Sequence, residues 1–181
     1  MKTRAGDTVK KNILLTGRTS AGKTEVIKKV IEKFKVPAKG FYTEQERAAS
    51  IRVGFVIITL DGRRCRLAHR DIHSPYKIRE YGISVANIET VAVTSIFPVD
   101  TDIIILDGIE KMACFSEVFK KAVIKALNST NIVIGAASLG GNDFIMEIKN
   151  RRDVEIHEVT WNNRRLIPDF ILERISDLLK P

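Results

Sequence analysis

The chain has 181 residues, 44% hydrophobic and 29% charged, a size and balance that suit one globular domain over 1–181 with a sizeable core and argue against disorder. Its 30 lysines and arginines against 22 acids leave +8, which favours anionic partners, nucleotides or nucleic acid, without choosing between them. The charged N-terminal stretch has no apolar run behind it for a signal peptide. The longest apolar runs, such as Phe55 to Ile58 and Ile103 to Leu106, are too short to span a bilayer, so a cytoplasmic protein without membrane contact is expected.

Asn12 to Thr16 is a short apolar run that reads as a buried strand. Gly17-Arg18-Thr19-Ser20-Ala21-Gly22-Lys23-Thr24 follows it, the phosphate-binding pattern G-x-x-x-x-G-K-[ST]. Gly17 and Gly22 let consecutive N–H groups turn inward on phosphate oxygens, and the helix behind adds its positive N-terminal end. Lys23 supplies a mobile charge, and the Thr24 hydroxyl suits one coordination position of a Mg²⁺ that bridges phosphates. Lys23 to Lys35 sets Val26, Val30, Ile31 and Phe34 at helical spacing, so strand, loop and helix come in the required order.

Gly40 to Arg47 reads as a second strand, and Ser50 to Leu60, the turn Asp61-Gly62 and Arg63 to His69 read as an antiparallel hairpin. Asn87 suits the cap of a short helix carrying Ile88, Val91 and Ile96. Thr101-Asp102 leads into the apolar strand Ile103 to Leu106, which delivers Asp107 at its carboxyl end. Ser116 to Leu127 is a helix with Val118, Phe119, Ala122, Val123, Ala126 and Leu127 on its apolar face. Asn131 to Ala137 is a buried strand, Asn142 to Asn150 a short helix, Val154 to Val159 a strand, and Asp169 to Leu179 a closing helix behind Pro168. This alternation predicts an α/β three-layer core with a mostly parallel sheet, and the segment from about Ser50 to Arg70 forms an antiparallel edge or flap.

Ligands of open α/β sheets gather at the carboxyl ends of strands, so Asp107 is expected beside the phosphate loop, holding Mg²⁺ through a water or through Thr24. Arg63, Arg64, Arg66 and Arg70 cluster in one segment and Lys149, Arg151 and Arg152 in another. Charges of this kind suit RNA or DNA, yet no aromatic-interleaved platform accompanies them, and a solvated surface is the reading adopted. Cys65 and Cys114 form neither a disulfide framework nor a metal pattern, and His69, His73 and His157 lack ligand spacing. Ser138 reads as a core-edge serine before a γ-phosphate sensor. Trp161 reads as a hydrophobic anchor before a ring that stacks on a nucleobase.

Together ILLTG…GKT, GFYTE with Arg47 after it, VGF, TLDG, IIILD, KM-x-x-FSE-x-F-x-x-A-V, EI-x-NR and VT-x-x-NR resemble a family of small P-loop nucleoside-triphosphatases, one of whose members is the human cancer-related nucleoside-triphosphatase. The resemblance runs from about Asn12 to Leu166. It implies a RecA-like P-loop fold and Mg²⁺-dependent hydrolysis of several nucleoside triphosphates, ATP and GTP among them, by a monomer. It also implies nucleotide-binding roles for Gly17 to Thr24 and Asn163, metal binding by Thr24 and Asp107, and catalytic roles for Lys23 and Arg164. Three positions depart from the family's pattern. The loop lacks its internal glycine, Gly108 stands where an acid follows the aspartate with Glu110 two positions later, and Gln45 replaces the second acid after Thr43.

Hydrolysis needs water in line with the γ-phosphate and a proton acceptor, so Gln45, which orients water but takes no proton, and Glu110 are the candidates. Glu44 and Glu46 belong to the opposite strand face from Gln45. A slow nucleoside-triphosphatase is the favoured reading. A nucleotide-binding switch with little turnover and a P-loop kinase of a nucleotide or nucleic-acid end remain open.

Overall fold

The computed structural model describes residues 9–33, 36–97 and 103–180. Phe34, Lys35, Thr101 and Asp102, which the sequence reading assigns to the first helix and to the lead-in of a strand, lie outside them. The strands are β1 (Asn12–Thr16), β2 (Ala38–Ala48), β3 (Ile51–Thr59), β4 (Arg64–His69), β5 (Lys77–Ile78), β6 (Tyr81–Ile83), β7 (Ile103–Ile109), β8 (Ile132–Ala137) and β9 (Val154–Glu158). The helices are α1 (Lys23–Lys33), α2 (Val85–Asn87, continuing as a π-helical turn over Ile88–Val93), α3 (Glu117–Asn128), α4 (Asp143–Lys149) and α5 (Ile167–Leu178).

Among the described residues all strands join one sheet in the order β5-β6-β4-β3-β2-β7-β8-β1-β9. From β2 to β9 the neighbours are parallel, and from β2 outward to β5 they are antiparallel. β1, β7 and β8 are buried throughout and mostly apolar because both faces are covered, as parallel strands under helices must be. On one face Ile13, Leu15, Ile103, Ile105 and Ile134 pack against Val26, Ile27 and Val30 of α1 and Ile171 and Ile175 of α5. On the other, Leu14, Ile104, Leu106 and Val133 pack against Phe119, Val123 and Leu127 of α3 and Ile145 and Ile148 of α4. Each such side chain withdrawn from water stabilises by about 1.5–3 kcal/mol before entropy is counted, and the three-layer α/β architecture is the result.

Three details differ from the sequence reading. Ser84, not Asn87, caps the short helix, accepting from the Asn87 N–H at 3.3 Å, while Asn87 lies inside the turn and donates its side-chain amide to the Arg66 carbonyl. Val118 is exposed, since the apolar stripe of α3 passes through Phe119, Val123, Ala126 and Leu127 instead. The short strands β5 and β6 extend the antiparallel edge. At two and three residues they carry too little periodicity to read.

β2 shares register with β7 only over Ala38 to Phe41, so its remainder rises past the carboxyl edge of the parallel sheet with β3 as its strand partner. That overhang forms one wall of the site.

Candidate active site

The loop between β1 and α1 passes so close to the end of β9 that a Cβ on Gly17, whose φ is +145°, would stand 2.5 Å from the Val159 carbonyl oxygen. Only glycine fits there. Ser20 holds a φ of +68° at the position where the family's internal glycine is missing, so a serine sustains the left-handed turn. Lys23 Nζ donates to the carbonyls of Gly17 at 3.2 Å and Arg18 at 3.5 Å, which satisfies the ammonium within its own loop. Thr19, Ser20, Gly22, Lys23 and Thr24 line a cleft of about 570 Å³, while Gly17 and Ala21 are buried beneath it and Arg18 is exposed outside its lining.

Asp107 reaches the same cleft from the end of β7 and is only 3% exposed. Burial pushes its carboxyl up to about 7; a hydrogen bond from Thr24 and the charge of Lys23 oppose that shift, and the Glu110 carboxylate adds to it. Its Oδ2 is buried without a hydrogen-bond partner. An orphaned carboxylate oxygen beside a hydroxyl is a donor pair fit for a hard cation such as Mg²⁺, which keeps most of its other positions for water and phosphate. No cluster of three or more His, Cys, Asp or Glu suited to a metal occurs among the described residues, so a metal here draws its further ligands from substrate and water.

Gln45 and Glu110 both line this cleft. Gln45 lies on the overhang of β2, and its Oε1 accepts from Arg47 Nη2 at 2.8 Å, so its oxygen is already engaged. Glu44 also lines the cleft but pairs there with Lys28 of α1, and Glu46, outside the lining, pairs with Arg66 at 3.0 Å; both acids are spent on ion pairs. Gly108 forms a bulge between Asp107 and Ile109 with φ +120°, and a Cβ there would meet Thr43 Cγ2 at 2.8 Å. The bulge re-aims the chain, and Glu110 emerges exposed at the cleft.

Arg164 closes the side next to α1. Its Cδ and Nη1 lie 3.3 and 3.6 Å from the point where a Cβ of Gly22 would stand, and its guanidinium lies over the Trp161 ring, 3.9 Å from the centroid. Trp161 is exposed, which corrects the anchor reading: the ring lines the cleft and fills no core. Asn163 does not reach the cleft lining. Its Nδ2 donates to the Glu158 carbonyl and its Oδ1 accepts from the Thr160 N–H, both at 2.8 Å, so it builds the turn that carries Trp161 and Arg164.

Arg47, Lys28, Phe55, Leu67 and Met112 also line the cleft and were not assigned a place in it from sequence. No local signal marks them, because the β2–β3 overhang and the α1 surface meet only in three dimensions. Ser138 is half-buried and lies outside the cleft lining, its hydroxyl unpartnered. Arg63, Arg66 and Arg70 pair with Asp61, Glu46 and Glu80, and Arg151 with Asp153, as a solvated charged surface does.

A strand, glycine loop and helix, with an acid two strands away at the carboxyl edge of a parallel sheet, define a P-loop NTPase fold. A family model described as NTPase matches residues 12–172. The nucleoside-triphosphatase THEP1 of Thermotoga maritima is 40% identical over 162 residues, covering 88% of this chain and 92% of that protein. The human cancer-related nucleoside-triphosphatase is 31% identical over 180 residues, 89% of this chain and 95% of its own. The crystal structure of THEP1 from Aquifex aeolicus matches with a TM-score of 0.82 at 28% identity, over 91% of this chain and 99% of that one. The chain belongs to the NTPase family and is an enzyme of that class. Among the described residues no helix is long and apolar enough to cross a membrane.

Proposed function

We propose that the enzyme hydrolyses nucleoside triphosphates, ATP and GTP among them, to the diphosphate and phosphate with Mg²⁺, and does so slowly. The observation that carries this reading is the buried, partnerless Oδ2 of Asp107 beside Thr24 in the cleft that also receives Lys23. The loop N–H groups and Lys23 hold the β- and γ-phosphates, and Lys23 exchanges its two loop carbonyls for phosphate oxygens. Thr24 and Asp107 would hold the metal, which when bound would offset phosphate charge.

Water attacks the γ-phosphorus, the bond to the β-phosphate oxygen breaks, and the proton of water passes to Glu110, an exposed carboxylate that lines the cleft. Gln45, fixed by Arg47, orients the water through its amide N–H and accepts no proton. Arg164 offsets charge on the departing diphosphate side. A well-placed base contributes about 10²- to 10⁴-fold, and with Gln45 unable to act as one the task falls on the exposed Glu110 alone, which is the reason for expecting a low rate. We read the chain as one catalytic unit over 1–181, acting as a cytoplasmic monomer, a reading supported by its single sheet and free thiols.

Phosphate release measured with Mg²⁺ and each of four NTPs tests this. Wild type should turn over all four, Lys23→Ala should fall to background, and Glu110→Gln should lose about 10-fold or more. Background release by wild type that binds NTP tightly would leave a nucleotide switch in place of an enzyme. Release that appears only with an added acceptor would make it a kinase.

A further inference from the structure

Trp161 is the sole tryptophan of the chain and stands 67% exposed at the rim of the phosphate cleft. One face of its indole is taken by the Arg164 guanidinium, 3.9 Å from the centroid, so the open area belongs to the other face and the ring edges. The ring does not dangle. Thr160 N–H to Asn163 Oδ1 at 2.8 Å, Asn163 N–H to Thr160 Oγ1 at 3.3 Å and Asn163 Nδ2 to the Glu158 carbonyl at 2.8 Å fix the turn that carries it. A large apolar face held open by a rigid turn beside a ligand cleft is surface awaiting a flat partner.

The sheet order says which part of a ligand arrives there. Asp107 on β7 and Gln45 on β2 lie to one side of the loop that leaves β1, and the turn after β9 lies to the other. A triphosphate in the loop with its terminal phosphate toward Asp107 therefore directs its nucleoside end toward Trp161. Arg164 links the two regions, since it touches the ring at one end and passes Gly22 of the loop.

We propose that Trp161 is the base platform of the site: the nucleobase stacks on the indole face opposite Arg164. This rests on the reading that the loop holds a nucleoside triphosphate. Every base has a flat π-face, and stacking ignores the exocyclic groups that distinguish bases, so such a platform tolerates all four and favours the larger purines. Asn163 acts on the base only through this turn, as a positioning residue.

The experiment compares Mg·ATP with Mg·tripolyphosphate, which carries the phosphates and no base, by calorimetry and by tryptophan emission. In wild type both should bind, and only ATP should change the emission. Trp161→Ala should weaken ATP about 5- to 100-fold and leave tripolyphosphate unchanged, and Trp161→Phe should recover most of the loss. If ATP binds calorimetrically while emission stays constant and Trp161→Ala binds it as wild type does, the platform is wrong and the phosphate site stands. If Trp161→Ala weakens both ligands equally, the ring serves only to hold Arg164, and the proposal is overturned. If wild type binds neither ligand, the proposed function fails and the platform with it.

Discussion

The Thr24 hydroxyl and the Asp107 carboxylate lie together at the cleft, where the hydroxyl opposes the upward push that burial gives the carboxyl, yet Oδ2 of that carboxylate is buried without a hydrogen-bond partner. Holding a buried anion half-satisfied costs stability unless a cation completes it. The protein therefore carries a penalty in its ligand-free state that, under the proposed function, substrate and metal would relieve.

The first prediction is a pH dependence. Asp107 goes from its ordinary 3.8 to about 7 in the fold, so between those values the native state holds a proton that the unfolded chain has released. Its contribution is therefore neutral below about pH 4, grows unfavourable as pH rises, and levels off above about 7, reaching about 4 kcal/mol at most. Asp107→Asn should remove that slope and raise the melting temperature above wild type at pH 8 while turnover is lost. Equal slopes for the two proteins across this window would disprove it. Binding of Mg·NTP near pH 7 should also release a proton fraction, read from calorimetry in buffers of different ionisation enthalpy.

A second prediction concerns Ser20. Its φ of +68° costs a non-glycine residue about 1–2 kcal/mol, part of which glycine returns through its freer unfolded chain. Ser20→Gly should stabilise by roughly 0.5–1 kcal/mol, a rise of roughly 1–4 °C by scanning calorimetry. An unchanged or lowered melting point would mean that the turn carries no strain.

Third, Gly108→Glu, which restores the family's acid on paper, should fail. The bulge φ of +120° and the 2.8 Å approach of a Cβ to Thr43 Cγ2 cost about 1–3 kcal/mol, so the variant should melt earlier and turn over no faster. Thr43→Ser, which deletes that methyl group, should return part of the lost stability. A faster, equally stable single variant would show that the bulge is dispensable.

Fourth, Gln45→Glu should raise kcat by less than the full worth of a general base. Arg47, 2.8 Å from the present amide oxygen, would pair with the new carboxylate and weaken it as a base. Adding Arg47→Met should raise kcat further, and a fall on that second step would assign Arg47 a direct part in binding the nucleotide.

The phosphate loop and Asp107 were legible in the sequence because their chemistry is local: a contiguous pattern and an acid ending an apolar run. The strands and helices of the parallel core were equally plain, since β1, β7 and β8 each carry a short apolar run between turn signals. Trp161 was misread because composition ranks tryptophan as buried and does not reveal that the Asn163 turn turns it outward. The capture of Gln45 by Arg47 was illegible for a related reason, since residues two apart on a strand share a face but their rotamers are decided by neighbours. Gly108 reads as a lost acid in one dimension and as a bulge in three.

Past Phe41, β2 loses its pairing with β7 and keeps β3, which pairs in turn with β4, so Gln45 is mounted on an antiparallel arm while the glycine loop and Asp107 are anchored in the bedrock of the parallel sheet. The pitch of that arm is set farther out, where Phe55 meets Tyr81 edge-on at 5.5 Å and Arg52 donates to the Tyr81 hydroxyl. Under the proposed mechanism, hydrolytic speed and nucleotide affinity thus hang from separate mountings. Drift in the distal hairpin offers evolution a throttle that leaves the grip untouched.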